Sequence, residues 1–408
     1  MSRGLVLLVA LLFATPCLRA ADRPPVVLVS MDGFRWDYCD LHPAETPHLR
    51  QLKRDGFSVR ALIPVFPSNT FPNHYSIATG LYPAHHGIVN NDFFEPASGQ
   101  FFHYNVPNFV RDPHWWGGEP IWVTAIKQGQ RAAAAFWVGS EAAIAGVRPT
   151  FWKAYDYSIP FEKRLEEVVR WLTLPPGERV SFVAFYLEET NSVGHEFGPD
   201  SPQLAATLKL LDDRIGAMQA AFRTAGIEPN LVIVSDHGMT PISGDRVLII
   251  EDYLDRTHVQ VETEGTVAGF RPLDGDVATL VRQLEKVPHT KTFRAEDLPE
   301  RFHMRDNPRM PPVWVLADQG WHFVTRAGYE RNQKKFAAAG YLRGEHGYDP
   351  AVPDMHGILI AHGPSFRAGV VVPAVENVHI YNLLCALLGV KPAPNDGDGR
   401  LVDAALKP

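Results

Sequence analysis

Short β-rich segments alternate with longer amphipathic segments along most of the chain, and this alternation limits the folds that the chain can adopt. The β-rich segments are VVLVS at 26–30, AAAFWVG at 133–139, SFVAFYL at 181–187, LVIVSD at 231–236 and GILIA at 357–361. Helical patterns lie between them, including residues 160–172 and 203–222. Strands that are separated by helices predict an α/β fold, in which a mostly parallel central sheet is covered by helices on both faces.

The segment from 241 to 345 departs from this regular pattern. It contains the proline-rich stretch PRMPPVW and shows less regular periodicity than the rest of the chain. We interpret it as an irregular subdomain inserted into one catalytic domain that covers residues 21–408. A chain of 408 residues with 45% hydrophobic residues is long enough to bury the large core that such a domain needs.

The first 20 residues have the features of a secretory signal peptide. Arg3 precedes an apolar run from Leu5 to Ala14, and small residues at 20 and 21 fit a cleavage site. The apolar run is shorter than the roughly 20 residues that a membrane-spanning helix requires. We therefore expect a periplasmic or secreted protein with no stable membrane anchor.

Removal of these 20 residues leaves two cysteines, Cys39 and Cys385. One disulfide bond and two unreactive thiols are both compatible with the sequence.

The charge of the chain restricts its partners. The formal net charge is −7, so there is no general basic surface for a nucleic acid backbone. An anionic small-molecule substrate must then be held by local groups, such as metal ions or the N-termini of helices.

Polar side chains of metal-binding type recur next to the predicted strands. They are Asp32, Asp236, His237, Asn191, His195 and His356. A single buried aspartate or histidine is usually a structural group that has found a hydrogen-bond partner. Carboxylates and imidazoles together are the ligands that Zn²⁺ accepts, and functional sites in α/β folds lie at strand ends. The recurrence therefore predicts a metal site.

Thr70 is the candidate nucleophile. It lies between Pro67 and Pro72, and the short helical pattern NHYSIATG follows at once. A hydroxyl at a helix N-terminus can attack phosphorus while backbone N–H groups bind the phosphoryl oxygens. A threonine hydroxyl is a poor nucleophile in water, so this role requires a metal ion that lowers its pKa.

Several longer motifs together resemble a known family. They are SMDGFRWDY, TFPNHYSIATGLYPAHHGIVNN, YLEETNSVGHEFGP, VIVSDHGM, DMHGILIAHGPSF and VHIYNLLCALLGVKPAPN. They are similar, in order from about residue 26 to 397, to the nucleotide pyrophosphatase/phosphodiesterase family of the alkaline phosphatase superfamily, in a bacterial-type form. The resemblance implies an alkaline-phosphatase-like core, two Zn²⁺ ions, and hydrolysis of phosphodiester or pyrophosphate bonds of nucleotides. Nucleoside 5′-monophosphates would be released through a phosphothreonine intermediate.

The resemblance also assigns roles to individual residues. One ion would be bound by Asp32, Asp236 and His237, and the other by Asn191, His195 and His356, with Thr70 between the two ions. Asn91 matches the residue that hydrogen-bonds a phosphoryl oxygen. Three aromatic residues match positions beside the nucleoside or other head group: Phe71, Tyr155 and Tyr186.

Position 191 departs from the family pattern. The family has an aspartate in E-x-P-D-x-x-G-H, and this chain has Asn191. An amide oxygen carries no charge, so the second ion should bind more weakly unless Glu188 or Glu189 compensates. Two alternative functions remain open: a phospholipid or choline-headgroup phosphodiesterase, and a metal-impaired protein that binds nucleotides without turnover.

Overall fold

The computed structural model describes residues 23–337 and 342–408. The predicted signal peptide, residues 1–20, lies outside the described residues. Within the described ranges, no helix combines the length and the apolar character that are needed to cross a membrane.

The described strands are, in chain order, β1 (Val26–Met31), β2 (Phe57–Val59), β3 (Leu62–Ile63), β4 (Asp92–Glu95), β5 (Gln100–His103), β6 (Ala132–Ala135), β7 (Phe151–Lys153), β8 (Phe182–Leu187), β9 (Asn230–Val234), β10 (Thr240–Ser243), β11 (Val247–Ile249), β12 (Val259–Thr263), β13 (Val267–Pro272), β14 (Thr290–Arg294), β15 (Val313–Ala317), β16 (His322–Val324), β17 (Leu342–Glu345), β18 (Leu359–His362), β19 (Val370–Val372) and β20 (Val375–Glu376).

The described α-helices are α1 (Tyr38–Leu41), α2 (Pro47–Asp55), α3 (Thr70–Thr79), α4 (Pro83–His86), α5 (Pro107–Arg111), α6 (Ile121–Lys127), α7 (Phe161–Thr173), α8 (Glu189–Phe197), α9 (Pro202–Thr224), α10 (Val277–Leu284), α11 (Arg326–Phe336), α12 (Ile380–Leu388) and α13 (Arg400–Ala405). Helix α9 begins with Pro202 in its first turn, and the Ser201 hydroxyl accepts a hydrogen bond from the Leu204 N–H. Both features favour a helix start.

A central sheet of eight strands organises the fold. Its order is β19-β2-β18-β9-β1-β8-β6-β7. All neighbouring pairs are parallel except the two that involve β18, which runs antiparallel to β2 and to β9. The predicted α/β class with a mostly parallel sheet is therefore confirmed.

Both faces of this sheet are buried. Val26 and Leu28 of β1 belong to one apolar cluster, and Val27 and Val29 belong to a second cluster on the opposite face. Successive side chains of a strand point to opposite faces, so a strand that is covered on both sides is apolar throughout. This explains why the strands were readable as continuous hydrophobic runs.

The two cysteines are free and buried in separate parts of the core. Cys39 packs in the cluster on one face of the sheet, and Cys385 packs in the cluster on the other face. Burial raises the pKa of both thiols to about 12. Neither thiol is therefore reactive at neutral pH.

The segment 241–345 contains a sheet of its own. Four strands, in the order β12-β13-β15-β14, pack with α10 around an apolar cluster that is distinct from the two clusters on the central sheet. The two ends of the segment meet, because β10 pairs antiparallel with β17 and Thr240 lies opposite Glu345. That the segment is an insertion into a single domain remains our interpretation.

Candidate active site

Three buried side chains meet at the carboxyl ends of β1 and β9. Asp32 follows β1, and Asp236 and His237 follow β9, which is the parallel neighbour of β1. One ligand atom from each residue lies within 4.8 Å of the others. Because parallel neighbours end at the same edge of a sheet, the prediction that these residues lie together follows from the topology.

Thr70 is the first residue of α3 and lies beside this cluster. Its Oγ1 is 3.2 Å from Nε2 of His237. The loop before the helix is held by Asn73, whose Nδ2 donates hydrogen bonds to the carbonyl oxygens of Pro67 and Asn69. Helix α3 thus holds the loop that precedes it in place, and this loop positions the hydroxyl of Thr70.

The hydrogen bonds of His237 define which atoms it offers. Its Nδ1 is 2.8 Å from the Gly238 carbonyl oxygen, so Nδ1 carries the proton and Nε2 presents a lone pair. That lone pair faces Asp236 Oδ2 at 3.1 Å and Asp32 Oδ1 at 3.4 Å. Both carboxylate oxygens are buried; within the described part of the chain Asp32 Oδ1 has no hydrogen-bond partner, and Asp236 Oδ2 has His74 Nδ1 at 3.2 Å. Acceptor atoms that converge in this way fit a cation.

A second group of ligand-type side chains lies on α8 and after β17. Asn191 and His195 are four residues apart and therefore share one face of α8. His346 follows β17, and its Nε2 is 3.1 Å from Nε2 of His195. The close approach of α8 depends on Gly33, because a Cβ at that position would lie 3.1 Å from the Asn191 Cα.

The two imidazoles of the second group face each other through their Nε2 atoms. Nδ1 of His195 donates to the Gly344 carbonyl, and Nδ1 of His346 donates to the Ser68 carbonyl. In neutral rings both Nε2 atoms are then acceptors. The buried Oδ1 of Asn191 likewise has no hydrogen-bond partner among the described residues. These three groups could together hold a second cation, with one uncharged amide in place of a carboxylate.

His356 is not brought into either group. Its Nε2 is 2.9 Å from the Pro350 carbonyl oxygen, which makes that nitrogen a donor to the backbone, and it does not line the pocket described below. It is His346, and not the predicted His356, that lies beside His195 in the structure. The signal that was missed is GEHGYD, in which Gly347 has a φ of +97°. A glycine that adopts a left-handed conformation next to a histidine marks a tightly constrained turn.

Burial controls the charges in this site. Burial, together with the neighbouring carboxylate of Asp236, raises the pKa of Asp32 well above its usual range. Burial also opposes ionisation of Asp236, but His237 and His74 outweigh it and lower the pKa of Asp236. Burial lowers the pKa of His346 well below its usual range, with help from the nearby His237 and His195, which keeps its imidazole neutral.

Asn91 is hydrogen-bonded to the residue that follows Thr70. Its Oδ1 accepts a hydrogen bond of 2.9 Å from the Phe71 N–H. Because the amide oxygen of Asn91 accepts this bond, its Nδ2 group points the other way and remains available as a donor. Asn91 lines the pocket, so it can offer that donor to a bound oxygen atom.

The three aromatic residues that were predicted to border the substrate differ in their surroundings. Phe71 and Tyr155 line the pocket, and Tyr155 is half exposed. Tyr186 also lines it but is buried, and its hydroxyl donates a hydrogen bond of 2.5 Å to Asp32 Oδ2. The hydroxyl of Tyr186 therefore acts on a candidate metal ligand, which the sequence did not indicate.

Glu188 and Glu189 form ion pairs with arginines. Arg164 donates to Glu188 at 3.4 Å, and Glu189 is bonded by Arg214 and faces Arg164 at 3.6 Å. Glu188 lines the pocket beside Asn191. Both carboxylates thus already have cationic partners, and Asn191 is the residue that shares a face of α8 with His195.

Comparison with known proteins identifies the family. The family model described as type I phosphodiesterase/nucleotide pyrophosphatase matches residues 26–349. The chain belongs to this family. The resemblance that the sequence motifs indicated is therefore confirmed.

Known members of the type I phosphodiesterase/nucleotide pyrophosphatase family align with nearly the whole chain. A venom phosphodiesterase of Macrovipera lebetinus is 37% identical over 406 residues, which cover 97% of this chain and 46% of the relative. Human ectonucleotide pyrophosphatase/phosphodiesterase family member 5 is 34% identical over 394 residues, which cover 96% of this chain and 80% of the relative. The chain spans about half the length of the venom phosphodiesterases that it matches.

Solved structures of the family have the same fold. Human ectonucleotide pyrophosphatase/phosphodiesterase 5 superposes with a TM-score of 0.87 at 34% identity, covering 93% of this chain and 99% of that one. An inactive threonine-to-alanine variant of the murine protein, in complex with AMP, superposes with a TM-score of 0.86 at 33% identity, covering 94% of this chain and all of that one.

The pocket of this phosphodiesterase-family chain is large enough for a nucleotide-sized ligand. Its volume is about 520 Å³, and it extends from Asp32 and Thr70 to an aromatic and polar rim. The rim residues are Phe71, Tyr104, Tyr155, Arg111 and Glu141. A concave site that joins ligand-type side chains to aromatic walls is typical of small-molecule binding.

Proposed function

We propose that this protein hydrolyses phosphodiester and pyrophosphate bonds of nucleotides, and that it releases nucleoside 5′-monophosphates through a phosphothreonine intermediate on Thr70. The observation that carries the proposal is the position of the Thr70 hydroxyl, 3.2 Å from His237 Nε2 at the floor of the pocket. Membership in the phosphodiesterase family supports the reaction class.

Two zinc ions are the proposed cofactors. Asp32, Asp236, His237 and the hydroxyl of Thr70 would hold one ion. Asn191 and His195 would hold the other together with His346, which replaces His356 in our assignment. The convergence of these ligand atoms supports this set, and so do the buried Oδ1 atoms of Asp32 and Asn191, which have no hydrogen-bond partner among the described residues. When bound, such ions lower the pKa of an adjacent alcohol and neutralise charge on phosphoryl oxygens.

The residues of the chain have distinct roles in the proposed reaction. The Thr70 hydroxyl gives up its proton to solvent, and the Thr70 Oγ1–phosphorus bond forms while the bond from phosphorus to the leaving oxygen breaks. Nδ2 of Asn91 donates a hydrogen bond to a phosphoryl oxygen during this displacement. Water then cleaves the phosphothreonine, which regenerates Thr70 and releases the nucleoside monophosphate.

The relatives support a threonine nucleophile and a nucleotide substrate. A threonine-to-alanine variant of the murine relative is inactive and binds AMP. In this chain, Phe71 and Tyr155 would contact the base, for which stacking on an aromatic side chain contributes about 1–3 kcal/mol. The names of the venom and ectonucleotide relatives support an extracytoplasmic location, which we propose as periplasmic or secreted.

A second candidate function follows from Asn191. Because its amide carries no charge, the second cation site has fewer negative charges than the family pattern provides. A protein with this site could bind nucleotides and turn them over slowly or not at all. The two candidates differ in whether added zinc produces turnover.

One assay separates these functions. The unmodified protein is stripped of metal with a chelator and titrated with zinc, and hydrolysis of p-nitrophenyl thymidine 5′-phosphate and p-nitrophenyl phosphocholine is measured. We expect zinc-dependent turnover of the nucleotide ester, and none in Thr70→Ala with zinc still bound. Thr257→Ala, in an exposed turn of the inserted segment, is the matched control. Substantial activity of Thr70→Ala would reject the nucleophile, and preference for the phosphocholine ester would reject the substrate class.

A further inference from the structure

The two aromatic walls of the pocket rim are built from different parts of the chain. We call the space between them the aromatic cleft. On one wall, Phe71 packs 5.6 Å from the ring of Tyr104 and 6.0 Å from that of Phe102, which in turn contacts Phe109 of α5. Helix α5 is thus packed behind this wall.

The opposite wall of the aromatic cleft is formed by Tyr155, which follows β7, and by Tyr186 of β8. The ring of Tyr155 lies 5.6 Å from that of Phe136 and 6.1 Å from that of Tyr186. Because the side chain of Tyr155 is half exposed, its own packing only weakly fixes the distance between its ring and that of Phe71.

A single carboxylate joins the two walls. Glu141 Oε2 accepts a hydrogen bond of 2.9 Å from Nε of Arg111, the last residue of α5. Glu141 Oε1 accepts a hydrogen bond of 3.0 Å from the backbone N–H of Tyr155. The Oε2 atom is therefore bonded to the wall that α5 supports, and the Oε1 atom is bonded to the wall that contains Tyr155. The side chain of Glu141 is only 13% exposed, whereas that of Arg111 is 46% exposed at the rim.

We propose that the Arg111–Glu141 ion pair sets the width of the aromatic cleft and thereby selects substrates with a flat nucleobase as the head group. This inference rests on the proposed nucleotide hydrolysis and adds two specificity-determining residues to it. Glu141 bonds to Arg111 and to the Tyr155 N–H, whereas the Thr70 hydroxyl contacts His237, so we expect the ion pair to affect binding of the head group rather than the bond that breaks. A partly exposed ion pair makes a modest contribution, so we expect an effect of about two- to fivefold.

The test compares substrates with and without a base. Arg111→Gln and Glu141→Gln each remove the ion pair, and glutamine at 141 keeps an acceptor for the Tyr155 N–H. We expect KM for p-nitrophenyl thymidine 5′-phosphate to rise about two- to fivefold in either variant. The loss falls on KM rather than kcat, and KM for p-nitrophenyl methyl phosphate changes little. KM of the double variant should equal that of either single variant, because all three variants lose the same ion pair.

Arg170→Gln is the matched control, since Arg170 forms an exposed ion pair of 2.7 Å with Glu167 on α7. Calorimetric titration with AMP measures the same effect without turnover, so it tests the ion pair even if the unmodified protein cleaves neither ester and the proposed hydrolysis fails.

Equal losses on both esters, unchanged AMP affinity in both variants, or the same loss in Arg170→Gln would overturn the inference. A loss of affinity for ADP alone would also overturn it, because Arg111 would then bind a distal phosphate. Absence of AMP binding to the unmodified protein would overturn both proposals.

Discussion

Nε2 of His346 lies 3.1 Å from Nε2 of His195, and both rings donate their Nδ1 protons to backbone carbonyls. Two facing acceptors repel unless a proton or a metal ion lies between them, and in our assignment a zinc ion takes this place. We therefore expect His346→Gln to bind one zinc ion fewer than the unmodified protein. Phosphodiesterase activity should fall by more than the roughly 10–100-fold that loss of an outer metal partner causes. Elemental analysis and steady-state kinetics measure the two effects.

The control for this prediction is His356→Gln. It removes the hydrogen bond of 2.9 Å to the Pro350 carbonyl, which contributes about 1 kcal/mol to stability. Zinc content should be unchanged in this variant. If His356→Gln loses zinc and His346→Gln retains it, the ligand set of the sequence analysis is right and our assignment is wrong.

Replacing Asn191 by aspartate should strengthen the second metal site. Asn191 Oδ1 is buried and has no hydrogen-bond partner among the described residues, so a carboxylate there adds charge without displacing a bond. We expect the zinc concentration for half-maximal activity to fall at least about tenfold, or about 1.4 kcal/mol. Gln333→Glu adds the same charge on the exposed face of α11 and should leave the titration unchanged. Identical titrations for Asn191→Asp and the unmodified protein would contradict the prediction.

The sequence predicted the central sheet well because strands that are buried on both faces are apolar throughout. The segment 133–139 was less well predicted, since β6 ends at Ala135 and Phe136 adopts a φ of +68°. A left-handed phenylalanine has no signature in the sequence. Asp32 and Asp236 were identifiable because each follows an apolar strand whose end lies at the functional edge of the sheet.

His346 could not be found in the same way. It follows β17, a short strand that contains Gly344 and lacks an apolar run, and β17 pairs with β10 about a hundred residues earlier. His356 looked suitable because it precedes the strand β18. That strand runs antiparallel, with Leu359 opposite Val234, so its beginning does lie near the correct edge. Only the hydrogen bond to Pro350 shows that the His356 side chain is engaged elsewhere.

Glu95 should make the protein sensitive to acid. Burial opposes ionisation of this carboxyl, but hydrogen bonds from His114, Ser98 and Arg309 prevail and lower its pKa from 4.5 to about 2. A depressed pKa stabilises the folded state above pH 4.5, and this contribution is lost as the pH falls towards 2. Urea unfolding between these pH values should show a smaller loss of stability in Glu95→Gln than in the unmodified protein. The exposed Glu296→Gln is the control, and equal pH dependence in all three proteins would contradict the prediction.

Tyr186→Phe distinguishes two roles for this residue. If its ring only stacks on the nucleobase, phenylalanine preserves that contact and the kinetics do not change. The hydroxyl, however, donates a hydrogen bond of 2.5 Å to Asp32 Oδ2, and burial and the nearby Asp32 raise the pKa of Tyr186, so the donor persists at all working pH values. Removing an outer partner of a metal ligand typically reduces metal affinity about 10–100-fold. We therefore expect weaker zinc binding in a competition assay, with KM for the nucleotide ester at saturating zinc close to that of the unmodified protein. Tyr155→Ala should show the opposite result, in which zinc affinity is retained and KM rises.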